Sequence, residues 1–169
     1  HVLPAILSAP QTRRRAALRV ARLGKKTALG FSSEGSHRIV DLSMCAVLHP
    51  ALFALVEPLR VLLADMVGER RAAHVKLTLA DQGVDVLIEG VEAEGLAAAE
   101  RLSAFASDHK LARLSIDDGT GIQTWHEPEP LTVTFGGVAV PMPPYAFLQA
   151  TADGEAALLN AVRPALDGA

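Results

Sequence analysis

Cysteine is nearly absent from this sequence: Cys45 is the single thiol in 169 residues. No internal disulfide is possible, which fits a reducing compartment and leads to a cytoplasmic expectation. Long apolar runs are missing too. Half the residues are hydrophobic, yet no stretch approaches the roughly 20 apolar residues that a bilayer span requires, so no membrane partner is expected. The opening apolar residues are too few for a signal peptide and lack a basic leader. The six histidines show no metal-ligand spacing with one another or with Cys45, which argues against a zinc centre within the chain. No phosphate loop or nucleophile elbow occurs, and Gly119-Thr120-Gly121 lacks the third glycine and the following helix of a dinucleotide loop. Asp117-Asp118 reads as a solvated turn. By its own residues the chain does not read as a complete enzyme.

Acid is absent from the first 33 residues, where Arg13, Arg14, Arg15, Arg19, Arg22, Lys25 and Lys26 stand unopposed; 9 basic and 19 acidic residues follow. Such segregation suits a phosphate-bearing partner. A second reading has these side chains guarding an exposed sheet edge.

The length suits one domain, or one domain with an appendage. After an extended lead-in containing Pro4 and Pro10, residues 13–23 alternate as a strand, with Leu18, Val20 and Arg22 on one face and Ala17, Arg19, Ala21 and Leu23 on the other. Gly24-Lys25-Lys26 is a turn, 27–32 returns as the second arm, Glu34-Gly35-Ser36 turns again, and 37–42 is a third strand. Residues 50–67 are helical, with Leu52, Leu55, Val56, Leu59, Leu62, Leu63 and Met66 inward and a break or kink at Pro58 that would give two consecutive helices. Strands follow at 73–80 and 84–89, then a helix over 93–109 with Leu96, Ala99, Leu102, Phe105 and Ala106 inward. Strands at 111–117, 122–126, 131–135 and 138–140 precede a last helix over 152–163, which Pro164 should end or bend. The order predicts an α+β fold: an antiparallel sheet with helices on one face and a split βαβ-like, ferredoxin-like middle, preceded by a basic β-meander.

The chain leads up to one stretch, Pro143-Pro144-Tyr145-Ala146-Phe147-Leu148-Gln149-Ala150-Thr151-Ala152-Asp153-Gly154-Glu155. Two prolines hold the approach extended. Phe147 and Gln149 alternate, so their side chains point the same way. Thr151 is a helix cap candidate and Asp153 and Glu155 suit a first helical turn. A ring beside a two-faced amide can hold and orient a planar base; the competing reading makes Phe147 core and Gln149 surface.

Four stretches together resemble the uracil-5 RNA methyltransferases, which use S-adenosylmethionine to make 5-methyluridine. They are Thr12-Arg13-Arg14-Arg15-Ala16; Gly30-Phe31 through Ser36-His37-Arg38-Ile39-Val40-Asp41; Leu42-Ser43-Met44-Cys45-Ala46-Val47-Leu48; and Phe147-Leu148-Gln149-Ala150-Thr151 with Gly154-Glu155. The resemblance implies a central RNA-recognition domain over 1–145, and over 146–169 a linker and first helix leading into a catalytic domain. It implies that Arg13, Arg15 and, with the basic hairpin, Lys26 meet RNA, ribosomal ahead of transfer RNA, with no DNA partner. Phe147 would wall the pocket of an unstacked uridine, and Gln149 would match the uracil imide beside the methyl donor. Thr151 stands where some members have Asn, and Pro164 interrupts the linker helix. Cys45 falls where the ribosomal branch places one ligand of a [4Fe-4S] cluster, but four thiolates are needed, so no cluster is expected here. Nucleophile, base and cofactor loop would lie beyond Ala169, and a chain that begins at His1 instead of Met is expected to be a piece, inactive alone. Two further readings are a free-standing RNA-binding adaptor and a purely structural α+β domain.

Overall fold

A computed structural model describes residues 5–167 except Lys25, Glu34, His37, Arg70 and Tyr145. The start of the lead-in, Lys25 of the first turn, Glu34 of the second and Tyr145 of the late stretch thus lie outside the described residues. Strands β1 (Arg15–Leu23), β2 (Lys26–Ser32) and β3 (Ile39–Asp41) form the expected meander. Helices α1 (Pro50–Phe53) and α2 (Val56–Ala64) follow, then the hairpin β4 (Ala72–Ala80) and β5 (Gly83–Glu89). Helix α3 (Gly95–Asp108) connects to β6 (Arg113–Asp117) and β7 (Ile122–His126). A separate hairpin, β8 (Thr132–Phe135) with β9 (Val138–Pro141), precedes α4 (Ala152–Asp167). The large sheet has the order β3-β2-β1-β4-β5-β6-β7.

The fold is α+β, as expected, and the sheet is antiparallel except for the β5–β6 pair. Those two strands are direct neighbours, so the β–α–β crossover through α3 encloses no intervening strand, as a split unit would. Strand alternation sends Leu18, Val20, Leu29, Val75, Leu77, Val86, Ile88 and Leu114 to one face, where they are buried with Leu52, Leu59, Leu63 and Leu102 of the helices. The opposite face carries Arg15, Ala17 and Arg19, in register with Thr78, Lys76 and His74. A smaller cluster of Leu131, Val133, Met142 and Leu148 tucks the β8–β9 hairpin and the stretch after it against Ala112.

Several expectations need correcting. The arginine-bearing β1 lies between β2 and β4, so its arginines do not guard an edge. The region around Pro58 is two consecutive helices, as expected, but the break falls at Ala54–Leu55 and not at Pro58 itself, which is the third residue of α2: its missing N–H and its ring act on the carbonyl four residues earlier, that of Ala54. Leu96 is 74% exposed. Six residues before the buried Leu102, it sits about 120° around the helix from the inward face. Helix α4 does not end at Pro164 but continues to Asp167, because a proline in a last turn removes one hydrogen bond without forbidding helical φ.

Asp41 pins β3. Its Oδ1 accepts from the Leu29 N–H at 3.0 Å and from Arg60 Nη2 at 2.9 Å. Burial pushes its pKa up, but the Leu29 amide and Arg60 outweigh this and hold it below the ordinary carboxylate value. A depressed folded pKa contributes stability that is present above the unfolded value of about 4 and is lost as pH falls through the folded one. Amide protection along β2–β3, taken relative to the intrinsic exchange rate at each pH, is therefore expected to fall on acidification below about pH 4, with Asp41→Asn poorly protected already at neutral pH. A pH-independent difference between the two proteins would count against this role.

Candidate functional site

Three of the four stretches singled out in the sequence meet at one corner. Residues 11–14 run between the segment after β3 and the segment before α4. On one side Gln11 N–H donates to Ala46 O and Arg13 N–H to Val47 O, each at 2.9 Å, while His49 N–H donates to Arg13 O at 2.9 Å. On the other side Arg14 N–H donates to Ala150 O at 2.8 Å. A cavity of about 360 Å³ opens at this junction, lined by Ser8, Pro10, Arg13, Val47, Ala150 and Thr151 among others.

The second side is held by guanidinium groups. Arg14 Nε donates to Gln149 O at 3.1 Å, and its Nη2 pairs with Glu155 at 2.5 Å. Arg15 Nη1 donates to Leu148 O at 2.9 Å, and its Cζ lies 5.0 Å from the centre of the Phe147 ring, within cation–π range. Phe147 is 73% exposed, Leu148 is buried and Gln149 is half-buried. Leu148 anchors the segment in the small cluster between these two less buried neighbours. Phe147 is not core, so the competing reading fails for the ring.

Helix α4 begins where it was expected. Thr151 Oγ1 accepts from Gly154 N–H at 3.2 Å, and Ser8 Oγ contacts Thr151 Oγ1 at 2.9 Å and Asp153 at 3.0 Å. The Thr151 and Ser8 hydroxyls hold the Asp153 carboxyl below its ordinary pKa, keeping it ionised beside the positive helix end.

The structure does not bring Lys26 to this corner. It pairs with Leu23 at the far end of β1, roughly 26 Å from Arg15 at strand rise. Arg13 is at the corner and exposed, with its Nε on Arg15 O at 3.1 Å. Cys45 is half-buried, and its Sγ accepts from Leu48 N–H at 3.4 Å. One thiol does not fit a four-thiolate iron–sulfur cluster, so Cys45 serves as a turn acceptor here.

Sequence reasoning missed Arg113. Its guanidinium grips Asp85 with two parallel bonds of 2.9 and 2.8 Å and donates from Nη1 to Met142 O at 2.8 Å. The side chains of Arg113 and Asp85 are 3% and 8% exposed. A usable signal existed: Asp85 sits inside the apolar run of β5 and Arg113 precedes Leu114 at the start of β6.

No protein-family model matches the chain. An uncharacterised RNA methyltransferase of Zymomonas mobilis is 45% identical over 163 residues, which is 96% of this chain and 41% of the relative. A second uncharacterised RNA methyltransferase, from Mesorhizobium japonicum, is 34% identical over 157 residues, 93% of this chain and 37% of the relative. A 23S rRNA (uracil(1939)-C(5))-methyltransferase of Shewanella piezotolerans is 32% identical over 127 residues, 73% of this chain and 28% of the relative. The chain thus spans about two fifths or less of these relatives' lengths. Relatives of this kind place the chain by descent: it belongs to the RNA uracil-5 methyltransferase family.

Proposed function

We propose that this chain is the RNA-recognition part of an S-adenosylmethionine-dependent RNA (uracil-C5) methyltransferase acting in the cytoplasm, and that it presents an unstacked uridine to catalytic machinery carried in the rest of the relatives' length. The observation that carries this reading is the exposed Phe147 ring, backed by Arg15 and followed by Gln149 on an extended segment. An aromatic face accepts any base by stacking. The Gln149 carboxamide offers a donor and an acceptor, the complement of a uracil carbonyl and N3–H. Residues 1–145 form the recognition domain in this reading, and 146–169 lead toward the cofactor, which Gln149 would adjoin. The Shewanella relative's name favours ribosomal over transfer RNA. In this reading the cysteine nucleophile and carboxylate base for methyl transfer belong to the rest of the relatives' length, so the chain alone is expected to bind RNA without methylating it.

Binding of a short uridine-containing single strand should weaken with salt. Arg13→Gln combined with Lys26→Gln should flatten the logarithmic salt slope by roughly 0.7 for each phosphate no longer neutralised. Phe147→Ala should cost about 1–3 kcal/mol of affinity at every salt concentration. Binding that ignores salt, or a Phe147→Ala protein that binds like its parent, would remove the support for this function.

A further inference from the structure

The basic run Arg13-Arg14-Arg15 splits by role. Three guanidinium groups converge on the backbone of one irregular stretch, 142–149: Arg113 on Met142 O, Arg15 on Leu148 O and Arg14 on Gln149 O. The described residues of this stretch belong to no strand or helix, and Pro143 and Pro144 have no N–H to donate to a neighbouring strand, so no sheet ladder fixes it. Each guanidinium is itself fixed. Arg113 is locked onto Asp85, both buried on the same sheet face as Arg15, Arg14 is locked onto Glu155, and Arg15 stands on β1 opposite Thr78.

We infer that Arg14, Arg15 and Arg113 are positioning residues, which clamp the carbonyls of 142–149 so that Phe147 and Gln149 are presented in one fixed arrangement, and that only Arg13 of the run faces phosphate. The clamp's importance for RNA rests on the proposed function; its existence does not. Arg15 also covers one face of the Phe147 ring, leaving the opposite face for a base. Charge neutralisation at Arg13 and at Arg14 should therefore have different signatures. Removing a cation that meets phosphate lowers the salt slope, whereas removing a positioning group weakens binding at constant slope.

The test uses the whole chain and a labelled oligouridylate, with dissociation constants measured across a salt series. Arg14 is the residue to change, because replacing Arg113 would strand a buried carboxylate. Arg14→Gln is expected to weaken binding about tenfold with an unchanged slope. Arg14→Lys should behave like Arg14→Gln, since one ammonium cannot serve Gln149 O and Glu155 with the guanidinium's fork geometry. Arg14→Gln combined with Phe147→Ala should bind no worse than Phe147→Ala alone. Hydrogen exchange at the amides of Ala146 to Gln149 should accelerate at least about tenfold in Arg14→Gln. A slope reduced by about 0.7, or binding restored by Lys, would make Arg14 a phosphate ligand and overturn the inference. Unchanged exchange at 146–149 would overturn it whatever the RNA result. An unmodified chain that fails to bind oligouridylate would defeat the proposed function, with the exchange measurement still deciding the clamp.

Discussion

Asp85→Ala should lower the stability of the chain by about 3–5 kcal/mol, the usual cost of leaving one member of a buried ion pair uncompensated. The expectation follows from geometry: Asp85 takes both parallel bonds of a guanidinium that is only 3% exposed. Met142 O and a longer 3.5 Å contact to Glu127 are the other partners of Arg113, and neither balances its charge in the same buried setting. For a domain of this size the loss corresponds to a fall in Tm of roughly 6–20 °C. Asp85→Ala combined with Arg113→Met should recover most of it, because a buried pair replaced as a unit by apolar groups is often close to neutral. Thermal unfolding of the single and double variants decides the matter. A single variant within about 0.5 kcal/mol of its parent would mean that water or a neighbour compensates Arg113 already.

Gly30→Ala is the second large expected effect, and its cause is steric. A Cβ on Gly30 would lie 1.9 Å from the Val40 carbonyl oxygen and 2.8 Å from its carbon. Both are backbone atoms and neither can turn aside. Strand β3 would have to move outward, away from Leu29, whose N–H donates to Asp41 and whose O accepts from Leu42 N–H at 3.0 Å. Arg60, which donates to both Asp41 and Leu42 O, would be pulled with it. We expect a loss at or above about 3 kcal/mol, the upper end for overpacked sites. Exchange should rise first along β2–β3 and then through 42–48, which carries the hydrogen bonds to residues 11 and 13. A Gly30→Ala protein as stable as its parent would show that the two strands can separate without cost.

Much of this architecture could be read from residue spacing, because the information is local. Leu18 and Val20 alternate with Arg19, the leucines of α2 recur at helical intervals, and Thr151 followed by acids marks the start of α4. The candidate ring and amide were legible for the same reason: Phe147, Leu148 and Gln149 are three consecutive residues, the middle one buried between two more exposed neighbours. What escaped depends on residues far apart in sequence. Asp85 and Arg113 look like ordinary charged positions until β5 and β6 are paired, which puts them in register. The same holds for the edge reading of the arginines, since nothing near β1 reveals that β4, some 60 residues later, takes its free side. Leu96 misled for another reason: it is apolar, but six residues is not a helical repeat.

The closure of the corner has a consequence for how the molecule is made. Arg14 meets Glu155 across 141 positions of chain, and Ser8 meets Thr151 across 143. Contacts of such separation are the slowest to form, and during translation neither can exist until the opening turn of the last helix has left the ribosome. A nascent polypeptide therefore exposes its arginine run long before the aromatic platform can assemble over it. The corner closes late, only after the start of α4 has followed the arginine run by about 140 residues.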